Sequence, residues 1–82
     1  MTKLAADLIA AWRSAERIAN AMPEGSPERQ AAERASERVR DAYQDVMRSK
    51  AANEMIPPDA HSLVLDDVRD VERMWLVATA SA

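Results

Sequence analysis

Four prolines, gathered in two short stretches, limit what this chain can fold into more than any other feature. "MPEGSP" (22–27) and "MIPPD" (55–59) hold all of them. Proline has no amide hydrogen and disfavours helix in the residue before it, so both stretches are connections. What lies between them is dominated by Ala, Glu, Arg, Leu and Met, all strong helix formers. Seventeen residues are alanine, Gly25 is the single glycine, and phenylalanine is absent. No internal repeat is present, and no strand-like alternation is longer than "SLVL" (62–65). The chain therefore reads as all-α: an antiparallel helical hairpin plus a third helix, a small three-helix bundle open to completion by oligomerisation. Residues 1–82 form one domain, with helices expected over 3–22, 27–52 and 60–79.

A chain of 82 residues buries only about two-thirds of its unfolded surface, so stability is marginal. Small scaffolds usually add a disulfide, a metal or a partner subunit. With no cysteine and one histidine, disulfides, thiolate metal sites and the usual zinc ligand sets are excluded. No cofactor is expected. Helix packing and self-association remain as stabilising devices.

The net charge of −3 is unevenly spread. Residues 1–25 balance, residues 26–53 carry six basic and five acidic side chains, and residues 59–82 hold five acids against Arg69 and Arg73. No segment forms the basic face needed for nucleic acid, nor a basic amphipathic membrane helix. The first apolar run is broken by Asp7, unlike a secretory signal. The longest uncharged stretch, Met74 to Ala82, is far short of the roughly 20 apolar residues that span a bilayer. A cytoplasmic protein is expected, with neither nucleic acid nor membrane as partner.

Helical periodicity then assigns the inward faces. In the first helix Leu4, Leu8, Trp12, Ala15, Ala19 and Met22 fall within about 40° of Leu8. Ala5, Ile9, Ala11 and Ile18 widen that stripe on its two sides. The second helix has the clearest start: Ser26 as N-cap, Pro27 in the first turn, and Glu28 near the positive end of the dipole. Its stripe is Ala32, Ala35, Val39, Ala42, Tyr43 and Val46, with Met47 at the margin; alanine here lets a neighbouring backbone approach. Outer pairs Arg29–Glu33, Arg34–Glu37, Glu37–Arg40 and Asp45–Arg48 have helical salt-bridge spacing. In the third helix Val64, Val68, Val71, Trp75 and Ala78 make a narrow seam flanked by Leu63, Leu65 and Met74. If the second helix outreaches the first, Met55, Ile56 and the third helix, or another subunit, cover its far end.

The chemistry-bearing candidates cluster in "PPDAHSLVLDD" (57–67), which holds the only histidine. On one continuous helix Asp66 lies about 140° from His61 and Asp67 about 120° the other way, so they do not share its face. Asp66 and Asp70 do share one, beside Arg69 and Arg73, as on a solvated surface. The stretch reads as a helix start, with Asp59 or Ser62 as N-cap and His61 a partly exposed first-turn residue. Trp12, Trp75 and Tyr43 read as core, and Arg34, Arg38 and Arg48 as a solvated face. Asp67, about 60° from the seam, is placed to pair with an arginine of a neighbouring helix.

Leu76 and Val77 point more than about 100° from the seam. They fit either a fraying end or an interface. These two residues are the candidate site, with no catalytic, cofactor or metal residue assigned. The expected function is a non-enzymatic helical protein–protein interaction module, self-associating or a subunit of a larger assembly, with a homo-oligomer as the expected state. The alternative is a small acidic regulator masking a basic surface of a nucleic-acid-binding partner. A small enzyme with a site at His61 formed between subunits ranks behind both.

Overall fold

The structure, a computed structural model, describes residues 3–57 and 59–80. Pro58, part of the second proline stretch, lies outside the described residues. Three helices follow one another: α1 (Lys3–Ala21), α2 (Pro27–Ala51) and α3 (Ser62–Ala80). All three pairs are in contact, α1 with α2 most extensively, and the bundle measures 48 × 19 × 17 Å. The all-α three-helix architecture read from the sequence is the one observed. Among the described residues no helix is long and apolar enough to cross a membrane.

The first connection closes through local chemistry. Ser26 N–H donates to Pro23 O at 3.2 Å, and Gly25 has φ +79°. That is the third turn position, where a type II turn calls for glycine. Ser26 Oγ then accepts from Arg29 N–H at 3.1 Å and caps α2, with Pro27 in the first turn. The Arg29 guanidinium reaches back to Met22 O at 3.2 Å, tying the turn to the end of α1.

The core lies mainly between α1 and α2. Leu8, Ile18, Val39 and Val46 are the largest fully buried side chains, and Ala5, Ala15, Ala32, Ala35 and Ala42 are buried among them. Of the inward stripe expected for α2, Ala32, Ala35, Val39, Ala42 and Val46 are buried, while Tyr43 is only partly buried, like Met47 at the margin. From α3 only Val68 and Val71 are buried, while Val64, Leu65 and Trp75 pack partly against the core. The buried indole N–H of Trp75 has no hydrogen-bond partner among the described residues. Such a donor costs about 1–3 kcal/mol.

Two serines sit at the helix crossings where periodicity alone would place nothing polar. Ser14 Oγ donates to Glu72 Oε2 of α3 at 2.8 Å, and Ser36 Oγ of α2 donates to Glu16 Oε1 of α1 at 2.6 Å. Both serines are buried, so the carboxylates supply the acceptors that burial demands. Arg38 of α2 pairs with Asp67 of α3 at 2.8 Å, the interhelical partnership expected for Asp67. Of the outer pairs, Arg29–Glu33 and Asp45–Arg48 form. Because His61 meets Asp45, Asp67 meets Arg38 and Met74 lies beside Glu28, α3 runs antiparallel to α2, and so parallel to α1.

Four expectations are corrected. Trp12 is 40% exposed rather than core. Its ring lines a groove between α1 and α2 together with Ile9, Val39 and Tyr43. Met55 is 95% exposed and covers nothing; Ile56 alone of that pair packs on the core. Leu63, expected to flank the seam, is 78% exposed. Finally α3 begins at Ser62 and not near residue 60, and neither Asp59 nor Ser62 acts as a side-chain cap. His61 adopts φ +63° just before the helix, which delays the helical run.

Candidate functional site

The stretch carrying His61 is positioned by the end of α2. That helix stops in a Schellman arrangement: Glu54 N–H donates to Ser49 O at 2.8 Å and Asn53 N–H to Lys50 O at 3.1 Å. Asn53 takes the left-handed conformation this requires, at φ +59°. Asparagine tolerates that region better than most residues. The chain then passes the anchor Ile56 and closes two short turns, Ala60 N–H to Pro57 O and Ser62 N–H to Asp59 O.

The turns aim the imidazole back at α2, where His61 Nε2 lies 3.1 Å from Asp45 Oδ2. The other oxygen of Asp45 accepts from Arg48, so one carboxylate bridges both groups. Sequence spacing tested His61 against the aspartates on its own helix and missed Asp45, sixteen residues upstream, because no local period connects them. Asp66 and Asp67 do not converge on it, as the helical wheel required. The pit beside Asp45 is lined by Asp41, Gln44 and Arg48. The pair acts as a clamp joining the start of α3 to α2. Among the described residues no group of three or more His, Asp or Glu side chains is arranged to hold a metal ion.

The acidic face of α3 is solvated and self-paired. Asp66 meets Arg69 and Asp70 meets Arg73, each at 3.4 Å and each three residues apart. Exposed pairs of this kind contribute roughly 0–1 kcal/mol, so they are readily exchanged for other partners.

The candidate residues Leu76 and Val77 are 58% and 65% exposed, inside a helix that continues to Ala80. They are separated by about 100° around the helix and cannot belong to one flat patch. Val77 lines an apolar hollow with Met74 and Ala78 beside Glu28 at the start of α2. Leu76 lies on the opposite flank of α3.

A second apolar surface was missed from the sequence, because Trp12 had been assigned inward. Ile9, Trp12, Val39 and Tyr43 line a groove of about 280 Å³ between α1 and α2, with Arg13 and Arg40 on its rims. Neither guanidinium forms an ion pair or hydrogen bond with any described residue. The spacing carried no signal for it: Trp12 lies about 40° from Leu8, inside the stripe that Ala5 and Ile9 widen on that side. Comparison with protein-family models, with curated proteins and with solved structures found nothing that matches this chain.

Proposed function

We propose that this chain is a non-enzymatic helical interaction module, self-associating or a subunit of a larger assembly. The observation that carries the reading is the exposure of Leu76 and Val77 on an intact helix. Isolated exposed apolar residues are ordinary, but Trp12, Leu63 and Met74 are also exposed. Met74 and Val77 share one apolar hollow, and exposed apolar surface of this kind often marks docking sites. A cytoplasmic location belongs to the same proposal.

Sedimentation of the full chain together with recovery of its partners tests the reading. The expected result is association with itself or with another protein, reduced by Leu76→Ser with Val77→Ser. As surface changes these substitutions should alter stability by no more than about 0.5 kcal/mol. A stable monomer at micromolar concentration with no recovered partner overturns it. The acidic-regulator alternative has less support, since Asp66 and Asp70 each already have an arginine beside them. It requires partner binding that weakens as salt rises.

A further inference from the structure

The groove between α1 and α2 joins an apolar interior to polar groups that donate hydrogen bonds. Val39, fully buried, forms its floor, and Ile9, Trp12 and Tyr43 form its walls. Arg13 of α1 and Arg40 of α2 stand on its rims. Their guanidiniums, the Trp12 indole N–H and the Tyr43 hydroxyl make no hydrogen bond or ion pair with any described residue. Guanidinium and indole only donate, and a phenol donates readily. Free donors around one apolar hollow suit a ligand with an anionic head and an apolar body.

The register of the hairpin sets the two arginines against each other. Ser36 Oγ donates to Glu16 Oε1 at 2.6 Å, which fixes residue 16 opposite residue 36. In antiparallel helices Arg13, three residues before Glu16, is then level with Val39, three after Ser36. Trp12 is likewise level with Arg40. The guanidiniums therefore rise from opposite walls within about one residue, roughly 1.5 Å, of the same level. The Glu16–Ser36 bond also crosses from α1 to α2 one turn further on and closes that end of the trough. From Ile9 to Arg13, and from Val39 to Tyr43, the walls run for only about 6 Å. A docked helix of two turns needs about 11 Å and would lie over the Glu16 carboxylate. The space of about 280 Å³ suits a compact body instead. A cavity of about 150 Å³ already holds benzene.

We propose that this groove binds a small aromatic carboxylate, its one- or two-ring body between Trp12 and Tyr43 over Val39 and its carboxylate between Arg13 and Arg40. Aromatic walls favour a flat ligand through ring–ring contact. Glu16, on the same face, offsets one of the two positive charges, so the excess matches a singly charged carboxylate better than a doubly charged phosphate. Two other hollows lack this combination. Beside Met74 and Val77 the arginine, Arg73, is already paired with Asp70. The cleft between α1 and α3 sets Lys3 and Arg69 against Asp7 and Glu72. The inference goes beyond the interaction-module reading, which rests on α3, and neither depends on the other.

Titrating the full chain with 2-naphthoate and with the uncharged 2-naphthamide tests it by amide NMR shifts, circular dichroism confirming that each variant is helical. The expected result is saturable binding of 2-naphthoate, with a dissociation constant of about 1 mM or tighter. Shifts should centre on residues 9–13 and 39–43, and 2-naphthamide should bind at least about tenfold more weakly. Arg13→Gln/Arg40→Gln should weaken 2-naphthoate about tenfold or more and abolish its preference over the amide, while the amide itself binds as before. Trp12→Ala should weaken both probes. Absence of saturable binding of the acid, equal affinity for acid and amide, a preference that survives in Arg13→Gln/Arg40→Gln, or shifts centred on Met74 and Val77 overturns the proposal. If the groove ignores 2-naphthoate but shifts on a blocked Glu-Trp-Glu peptide, its occupant is another protein and the small-acid proposal falls. None of these results touches association through Leu76 and Val77, which sedimentation tests separately.

Discussion

The hairpin of α1 and α2 and the third helix are held by different forces. Between α1 and α2 the apolar side chains are fully enclosed: Leu8, Ile18, Val39 and Val46, set among alanines, leave little for water to reach. Helix α3 buries only Val68 and Val71 and leaves Leu63, Met74, Leu76 and Val77 in solvent. It is attached at three levels by polar ties, His61 to Asp45, Asp67 to Arg38 and Glu72 to Ser14. A fully buried aliphatic side chain stabilises by about 1.5–3 kcal/mol, while a net hydrogen bond contributes about 0.5–1.5. The difference makes the hairpin the rigid part. It leaves α3 as a helix positioned by specific contacts, with its outer side available for docking.

Substitutions rank accordingly. Leu8→Ala removes the heart of the hairpin and should cost about 2–5 kcal/mol in urea unfolding, loosening all three helices together. A loss confined to α3 would break the contrast between the two regions. Val71→Ala is expected to cost about 2 kcal/mol. Its distinguishing signature is amide exchange, faster along α3 than along α1 and α2, as for a locally opening unit; uniform acceleration would make the bundle one cooperative block. Ser14→Ala takes the donor away from a partly buried carboxylate and should cost about 1–2 kcal/mol, with Ser14→Thr recovering part of it. Arg38→Ala removes an exposed pair and should shift stability by less than about 1 kcal/mol, the shift shrinking in high salt. An effect from Arg38→Ala as large as that from Val71→Ala would mean that polar ties outweigh the apolar seam on α3.

The parts of this arrangement that repeat along the chain were legible before folding was considered. Ser26, Pro27 and Gly25 specify the first connection through their own backbone preferences, and the turn forms accordingly. The stripe of α2 and the seam of Val68 and Val71 follow from a period of about 3.6 residues. Leu76 and Val77 stood out because they violate that period. The second connection was harder. Asn53 at φ +59° leaves only the faint trace of an asparagine following alanines, and His61 at φ +63° leaves none. Its conformation is supported by Asp45 on another helix, which no nearby residue announces.

The candidate surfaces divide in the same way. Leu63 and Val77 lie about 40° apart on the wheel, so their shared side of α3 was implicit in the spacing once both were known to be exposed. The groove at Trp12 was not. Periodicity assigns a direction to a side chain but no volume to the space it points into, and Trp12 ends 40% exposed beside Val39 and Tyr43.

By itself, then, the sequence determined three amphipathic helices, their order, the first turn and most of the buried aliphatic positions. Those features arise from backbone sterics and from hydrophobic period, both of which act between near neighbours in the chain. Only the tertiary structure decided that Trp12 overhangs, that Ser14 and Ser36 are buried against carboxylates, and that His61 clamps to Asp45. Each depends on the distance between two helices, a quantity set by every side chain between them.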